Sequence, residues 1–208
     1  NDRKGETAAL VNLGNAYRSL LKYDQAIFNL NQARSIAQNV KDRRGEAKSL
    51  RILGNTYADL SQHDRAISFY SQSLLIYQEI QDRDGEAWSL NYLGNSYAAL
   101  SQDDRAISFY NQALPIFQAI QDRNGEAATL SLVGHLMERQ KQPEQAISFY
   151  KKSINIYETI RADIRKLPKD SQAAYARSVA NTYQSLANLL IAQGQGLEAQ
   201  QILEWLKI

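Results

Sequence analysis

The chain has 208 residues, 44% hydrophobic and 22% charged, long enough to bury a core and ordinary for a folded globular chain. A formal net charge of +2, with basic and acidic residues interspersed, leaves no electrostatic footprint for nucleic acid or anionic lipid. There is no Cys, which excludes disulfides and thiolate chemistry, and no apolar run approaches the ~20 residues of a membrane-spanning helix. No secretory signal pattern opens the chain, so a cytoplasmic protein is expected.

A forty-residue period organises the whole chain. GET at residue 5 returns as GEA at 45, 85 and 125; DRxGE recurs at 42–46, 82–86 and 122–126. LGNAY (13–17), LGNTY (53–57) and LGNSY (93–97) give way to VGHLM at 133–137, and DQAIFNL (24–30) is followed by DRAISFY at 64–70 and 104–110 and EQAISFY at 144–150. Within a unit the apolar spacing is helical: Leu10, Leu13, Tyr17 and Leu20 form one stripe, Ile67, Tyr70, Leu74 and Tyr77 another. Polar turns such as SQHD (61–64) separate the runs, with Ser and Asp suited to helix ends and N-caps. Each unit therefore reads as two antiparallel helices, over 5–44, 45–84, 85–124 and 125–166, with an irregular longer hairpin over 167–208. The expected fold is all-α, about ten helices in one repeat domain spanning 1–208, with no β pattern.

Three local features stand out along this array. Gly14, Gly54, Gly94 and Gly134 lie inside first helices, where Gly costs about 1 kcal/mol against Ala, so close packing is expected there, with Ala26, Ala66, Ala106 and Ala146 opposite. Pro115 interrupts the second helix of the third unit and predicts a kink on the outer layer. After the fourth unit the phase breaks: Gly134 next finds its counterpart in Ala187 and Ala146 in Ala199, both 53 positions on, so thirteen residues are inserted across a lengthened helix ending near Lys166 and a long one opening near Asp170 or Ser171. The chain opens in what reads as the tail of an inter-unit turn, and an excised piece of a longer protein is expected. Trp205, Leu206 and Ile208 are then expected to pack against the next domain of that protein.

Leu-Gly-x-x-Tyr followed nine residues after the Tyr by Ala (Leu13, Gly14, Tyr17, Ala26 and their equivalents) resembles the tetratricopeptide repeat, and the period of forty is similar to the long-helix variant of kinesin light chains and spindle-orientation adaptors. The resemblance implies a right-handed superhelical solenoid with first helices lining a concave groove. The segment from Tyr183 to Lys207 resembles what closes the repeat block of bacterial proteins carrying a caspase-like CHAT protease domain. The resemblance implies two roles: a scaffold or adaptor binding a protein or extended peptide, or the sensor array of a CHAT-type protease.

The recurring Asn lies at about 200° from Leu13 on a helical projection, opposite the core stripe. With its companions it sets the expected groove floor: Asn15, Arg51, Asn55, Trp88, Asn91, Asn95, Ser131, His135, Arg139, Asn181, Gln184 and Asn188. Amides both donate and accept, which suits an extended peptide backbone, and Trp88 offers a rigid aromatic anchor. Three readings of the amides stay open: ligand contact, a bridge between neighbouring helices, or a relic of duplication. The family's carboxylate clamp is incomplete, since Tyr92, Ala128 and Leu132 stand at positions it needs. No catalytic constellation, metal-binding spacing, phosphate loop or cofactor site appears. His63 is expected to be solvated in its turn. No enzymatic activity, nucleic-acid partner or membrane partner is expected.

Overall fold

A computed structural model describes residues 2–206. Among them are ten α-helices in chain order: α1 (Arg3–Ser19), α2 (Tyr23–Asn39), α3 (Arg43–Asp59), α4 (His63–Glu79), α5 (Arg83–Ala99), α6 (Asp103–Ala119), α7 (Arg123–Arg139), α8 (Pro143–Ile164), α9 (Lys169–Ala192) and α10 (Gly196–Glu204). The chain forms two compact units, Asn1–Ile116 and Phe117–Ile208, whose boundary falls inside α6 just after Pro115. Helix α6 continues through Pro115 without a break.

The period of forty is built from two equal halves. Helices α1 to α7 are each 17 residues long, and the turns between them are three. These six turns, and the three-residue turn from α7 to α8, each carry a left-handed residue at the same place: Leu21, Lys41, Ser61, Gln81, Ser101, Gln121 and Lys141, with φ from 55° to 59°. The hydrogen bonds at Lys41 illustrate the closure: Asp42 N–H reaches Ala37 O at 2.8 Å and Lys41 N–H reaches Gln38 O at 3.2 Å, a Schellman pattern without its usual glycine.

First helices open on a real cap. The carboxylates of Asp2, Asp42, Asp82 and Asp122 accept from the backbone N–H of Gly5, Gly45, Gly85 and Gly125 at 2.8–3.1 Å. Second helices do not: α2, α4 and α8 begin after Lys22, Gln62 and Gln142 with no side-chain cap. The Ser and Asp of SQHD thus do not cap α4; Ser61 is the left-handed turn residue and Asp64 sits in the first turn. The rest of DRxGE is also structural. Arg43 and Arg83 pair with Glu46 and Glu86 one turn on, and those glutamates accept from Gln38 and Gln78 of the preceding helix. A methyl at Gly85 would overlap the Tyr77 ring, so only Gly fits. Of the arginines in these turns, Arg44 links one hairpin to the next through Asp82, while Arg43 and Arg123 bond Glu79 and Asp163 within their own hairpins.

In the first unit α3 packs on α4 and also on α1 and α2, and α5 on α3 and α4. Successive first helices touch one another, α1 with α3 and α3 with α5, while α2 and α4 scarcely do. The first-helix layer is therefore the tighter, inner face of this unit. Leu53 and Leu93 are buried in the second and third hairpins, whereas Leu13 (43% exposed) and Leu20 (65%) are open, because no hairpin among the described residues precedes α1. The stripe read from helical spacing holds only where a preceding hairpin completes it.

In the second unit α7 packs on α8, α8 on α9 and α9 on α10. The insertion extends α8 to 22 residues and α9 to 24 and lengthens the turn between them to four, whereas α10 is only nine residues. Leu206 is half-buried and Trp205 packs edge-on against Tyr183; Ile208 lies outside the described residues.

Candidate functional site

The Gly-Asn pair of the repeat is a two-part receptor for one side chain of the second helix. In the second and third hairpins a Cβ on Gly54 or Gly94 would overlap the ring of Tyr70 or Tyr110. The neighbouring amide takes the other end of that tyrosine: Tyr70 Oη donates to Asn55 Oδ1, and Tyr110 Oη to Asn95 Oδ1, both at 2.7 Å. Gly54 and Gly94 are thus matched to a ring rather than to Ala66 or Ala106 alone. Burial holds both phenols protonated, pushing their pKa values well up, with Tyr92 and Asp59 adding at Tyr70 and Asp103 at Tyr110.

The other hairpins vary the scheme. In the first, Leu30 stands where the tyrosine would be; Asn15 is exposed and its oxygen accepts from Arg18 Nε at 3.3 Å. In the fourth, Gly134 still receives the Tyr150 ring, but His135 replaces the amide and is exposed. Tyr150 donates instead to Glu138 Oε2 at 3.2 Å. The amides of Asn55 and Asn95 are half-buried, facing away from the core stripe yet tied to it.

On the inner face of the first unit these amides line a cavity of about 330 Å³ together with Arg18, Asp59, His63, Tyr70, Tyr92 and Ser96. Arg18 and Asp59 pair at 2.9 Å from α1 to α3. Tyr92 stacks on Tyr70 (ring centroids 5.4 Å) and meets Trp88 at 5.8 Å, and the Arg51 guanidinium lies 5.9 Å from the Tyr92 centroid. Burial opposes the Arg51 charge, but Tyr77, Tyr92 and Asp84 outweigh it and its pKa is raised. Its Nε is buried without a hydrogen-bond partner, as is Nδ1 of His63. His63 is half-buried at the start of α4 and lines the cavity rather than standing in solvent. Spacing alone could not reveal this, because the residue reaches the inner face from the first position of a second helix.

Asn91, by contrast, is only 3% exposed and receives a long 3.4 Å bond from Asn95, so it belongs to the interior rather than to an open floor. In the second unit Ser131, His135, Asn181 and Gln184 come together around a cavity of about 400 Å³ with Tyr150, Thr182 and Ser185. Ser131 and Thr182 share a hydroxyl–hydroxyl bond of 2.8 Å, and Gln184 donates to Asn188 at 2.9 Å. Arg139 is exposed at the end of α7 and lies outside that cavity. Among the described residues no cluster of three or more His, Asp or Glu could hold a metal ion, and no helix is long and apolar enough to cross a membrane.

Overlapping stretches, residues 5–79, 47–119 and 85–159, match the tetratricopeptide repeat family. The chain belongs to that family. No curated protein matches it. Among solved structures its fold is similar to a putative kinesin light chain of Podospora anserina with nearly identical repeats (18% identity, TM-score 0.67, covering 96% of this chain and 92% of that one). It is also similar to BtubC of P. vanneervenii (17%, TM-score 0.63, covering 100% and 90%). A third is the Rap conjugation gene regulator of plasmid pLS20 in complex with the Phr* peptide (17%, TM-score 0.68, covering 94% and 50%). At these identities the likeness is one of fold, and the fold is that of the kinesin-light-chain-like tetratricopeptide arrays.

Proposed function

We propose that this protein-interaction repeat module holds an extended peptide, free or as part of a partner protein, on the inner face of its first helices, acting as a scaffold or adaptor without catalysis. The observation that carries the reading is the first unit's cavity. It lies on the inner layer, is lined by two of the recurring amides, and is flanked by the stacked Tyr92–Tyr70 pair, with Trp88 tilted against Tyr92 and a cation over the Tyr92 ring. Rigid aromatics and arginine dominate the energetics of peptide and protein interfaces. The Rap regulator of similar fold is a peptide complex, which supports a peptide as the ligand here. Within the second unit, Ser131, His135, Gln184 and Asn188 are proposed to serve in the same way.

Random peptides displayed against the immobilised chain, with the enriched sequences measured by fluorescence anisotropy, test the reading. Arg18→Ala/His63→Ala removes two cavity-lining side chains outside the hydrophobic core and is expected to weaken the enriched peptides by about tenfold. Circular dichroism checks that the variant is folded. Enrichment of nothing, or equal binding by the folded variant, sinks the proposal.

A further inference from the structure

We infer that Tyr70 and Tyr110 are positioning residues of the groove: each holds the oxygen end of a groove amide, so that Asn55 and Asn95 turn N–H donors toward the first unit's inner face, and the peptide they face presents backbone carbonyl oxygens there. The inference rests on the groove reading above and adds a polarity to it. Tyr70 and Tyr110 are only 2% and 1% exposed. A phenol so deeply buried needs a partner for its O–H, and in both hairpins that partner is the amide oxygen at 2.7 Å. An amide has one oxygen and one NH2, so fixing the first fixes where the second points; the Asn95 NH2 already makes a long 3.4 Å bond to Asn91 Oδ1, which leaves it one hydrogen for a ligand. Arg18 adds a guanidinium to the cavity wall, where it pairs with Asp59. The chain contains its own comparisons. With Leu30 in the tyrosine's place, Asn15 spends its oxygen on Arg18 instead; with His135 in the amide's place, Tyr150 finds Glu138. The tyrosine and the amide therefore act as a pair, fifteen residues apart, and neither orientation is left to chance where both are present.

The substitution Asn55→Asp/Asn95→Asp separates the two ends. It keeps the oxygen that the tyrosines need and replaces the donors with a second oxygen. Against a peptide enriched on the wild-type chain, the double variant is expected to lose about tenfold or more in affinity while remaining folded. Tyr70→Phe/Tyr110→Phe is expected to weaken binding by a smaller factor, since the amides keep their place but lose their orientation. Equal or tighter binding by the Asp variant overturns the inference, because the ligand would then have been reading the oxygen. A second arm needs no peptide. In NMR the side-chain NH2 hydrogens of Asn55 are expected to exchange with water as readily as those of exposed Asn15. A hydrogen protected in the wild type and released in Tyr70→Phe would place the NH2 on the phenol and overturn the inference too. If the hydrogens exchange freely but no peptide is enriched, the orientation stands and the groove reading fails.

Discussion

A methyl group at Gly54 would overlap Cε1 of Tyr70, and one at Gly94 would overlap Cε1 of Tyr110. The ring cannot retreat, since it is fully enclosed and its hydroxyl is tethered to the adjacent Asn. Gly54→Ala is therefore expected to destabilise the chain by about 1–3 kcal/mol through overpacking, although Ala is the better helix former. Gly196→Ala is the matched control: it lies in α10, its φ is not left-handed, and a methyl there would meet nothing. That substitution is expected to be neutral or to stabilise by up to about 1 kcal/mol. Urea denaturation midpoints of the two variants decide it, and equal shifts would mean the ring is not held where it is described. At this scale the recurring Asn also has its explanation. In the second and third hairpins it stands where a buried tyrosine hydroxyl needs an acceptor, which accounts for the oxygens of Asn55 and Asn95.

Between elements, the turns carry the strain. Seven residues with side chains adopt a left-handed φ between 55° and 59°. That conformation costs an L-residue about 1–2 kcal/mol and glycine almost nothing. Lys41→Gly and Gln81→Gly are each expected to stabilise by about 1 kcal/mol, and their effects should add because they sit in separate turns. Asp82→Ala is expected to cost about 1 kcal/mol as a lost N-cap, while Gln62→Ala, at a helix start with no cap bond, should cost little. Thermal melts of the four variants give the ranking, and a destabilised Lys41→Gly would contradict it. Much of this level is legible in the sequence. Equal spacing locates the helices and the thirteen-residue phase break locates the long α8 and α9, but the caps read into SQHD fall instead on the Asp of DRxGE. Close approach of the two helices at the repeat Gly is legible too, but the side chains that meet there are not. Helical projection assigns a face, but the partner of Asn55 lies on another helix, fifteen residues away, with no period linking them. The same limit hides the exposure of Leu13 and Leu20, which depends on whether a hairpin precedes, and the inward position of His63.

Across the whole molecule the enclosed side chains of largest volume are tyrosines: Tyr70, Tyr110, Tyr150 and Tyr183 head the fully buried set. Burial raises the pKa of each, and of Tyr77 and Tyr157. The folded state therefore keeps these protons at a pH where the unfolded chain, with tyrosines near their ordinary value of about 10, gives them up. Stability from this source is fully present below about pH 10 and falls as the pH rises past it, since ionisation then favours the unfolded chain. Melting temperature is expected to be insensitive to tyrosine ionisation up to about pH 9 and to drop steeply beyond about pH 10. Absorbance of phenolate should rise together with the loss of helix signal. Phenolate forming in a chain that is still helical would show that the rings are accessible.

The turn inside a hairpin and the turn between hairpins have one length and one geometry, from Leu20–Lys22 through Gln140–Gln142. No junction among these is specialised for joining one particular hairpin to another. A gene encoding such a chain can therefore grow or shrink by recombination between its own copies, each event adding or deleting a complete forty-residue module with its caps, its tyrosine and its amide already in register. The close identity of the segments at 64–70 and 104–110 is what a recent event of that kind leaves behind. Array size becomes an inheritable quantity that varies in whole steps.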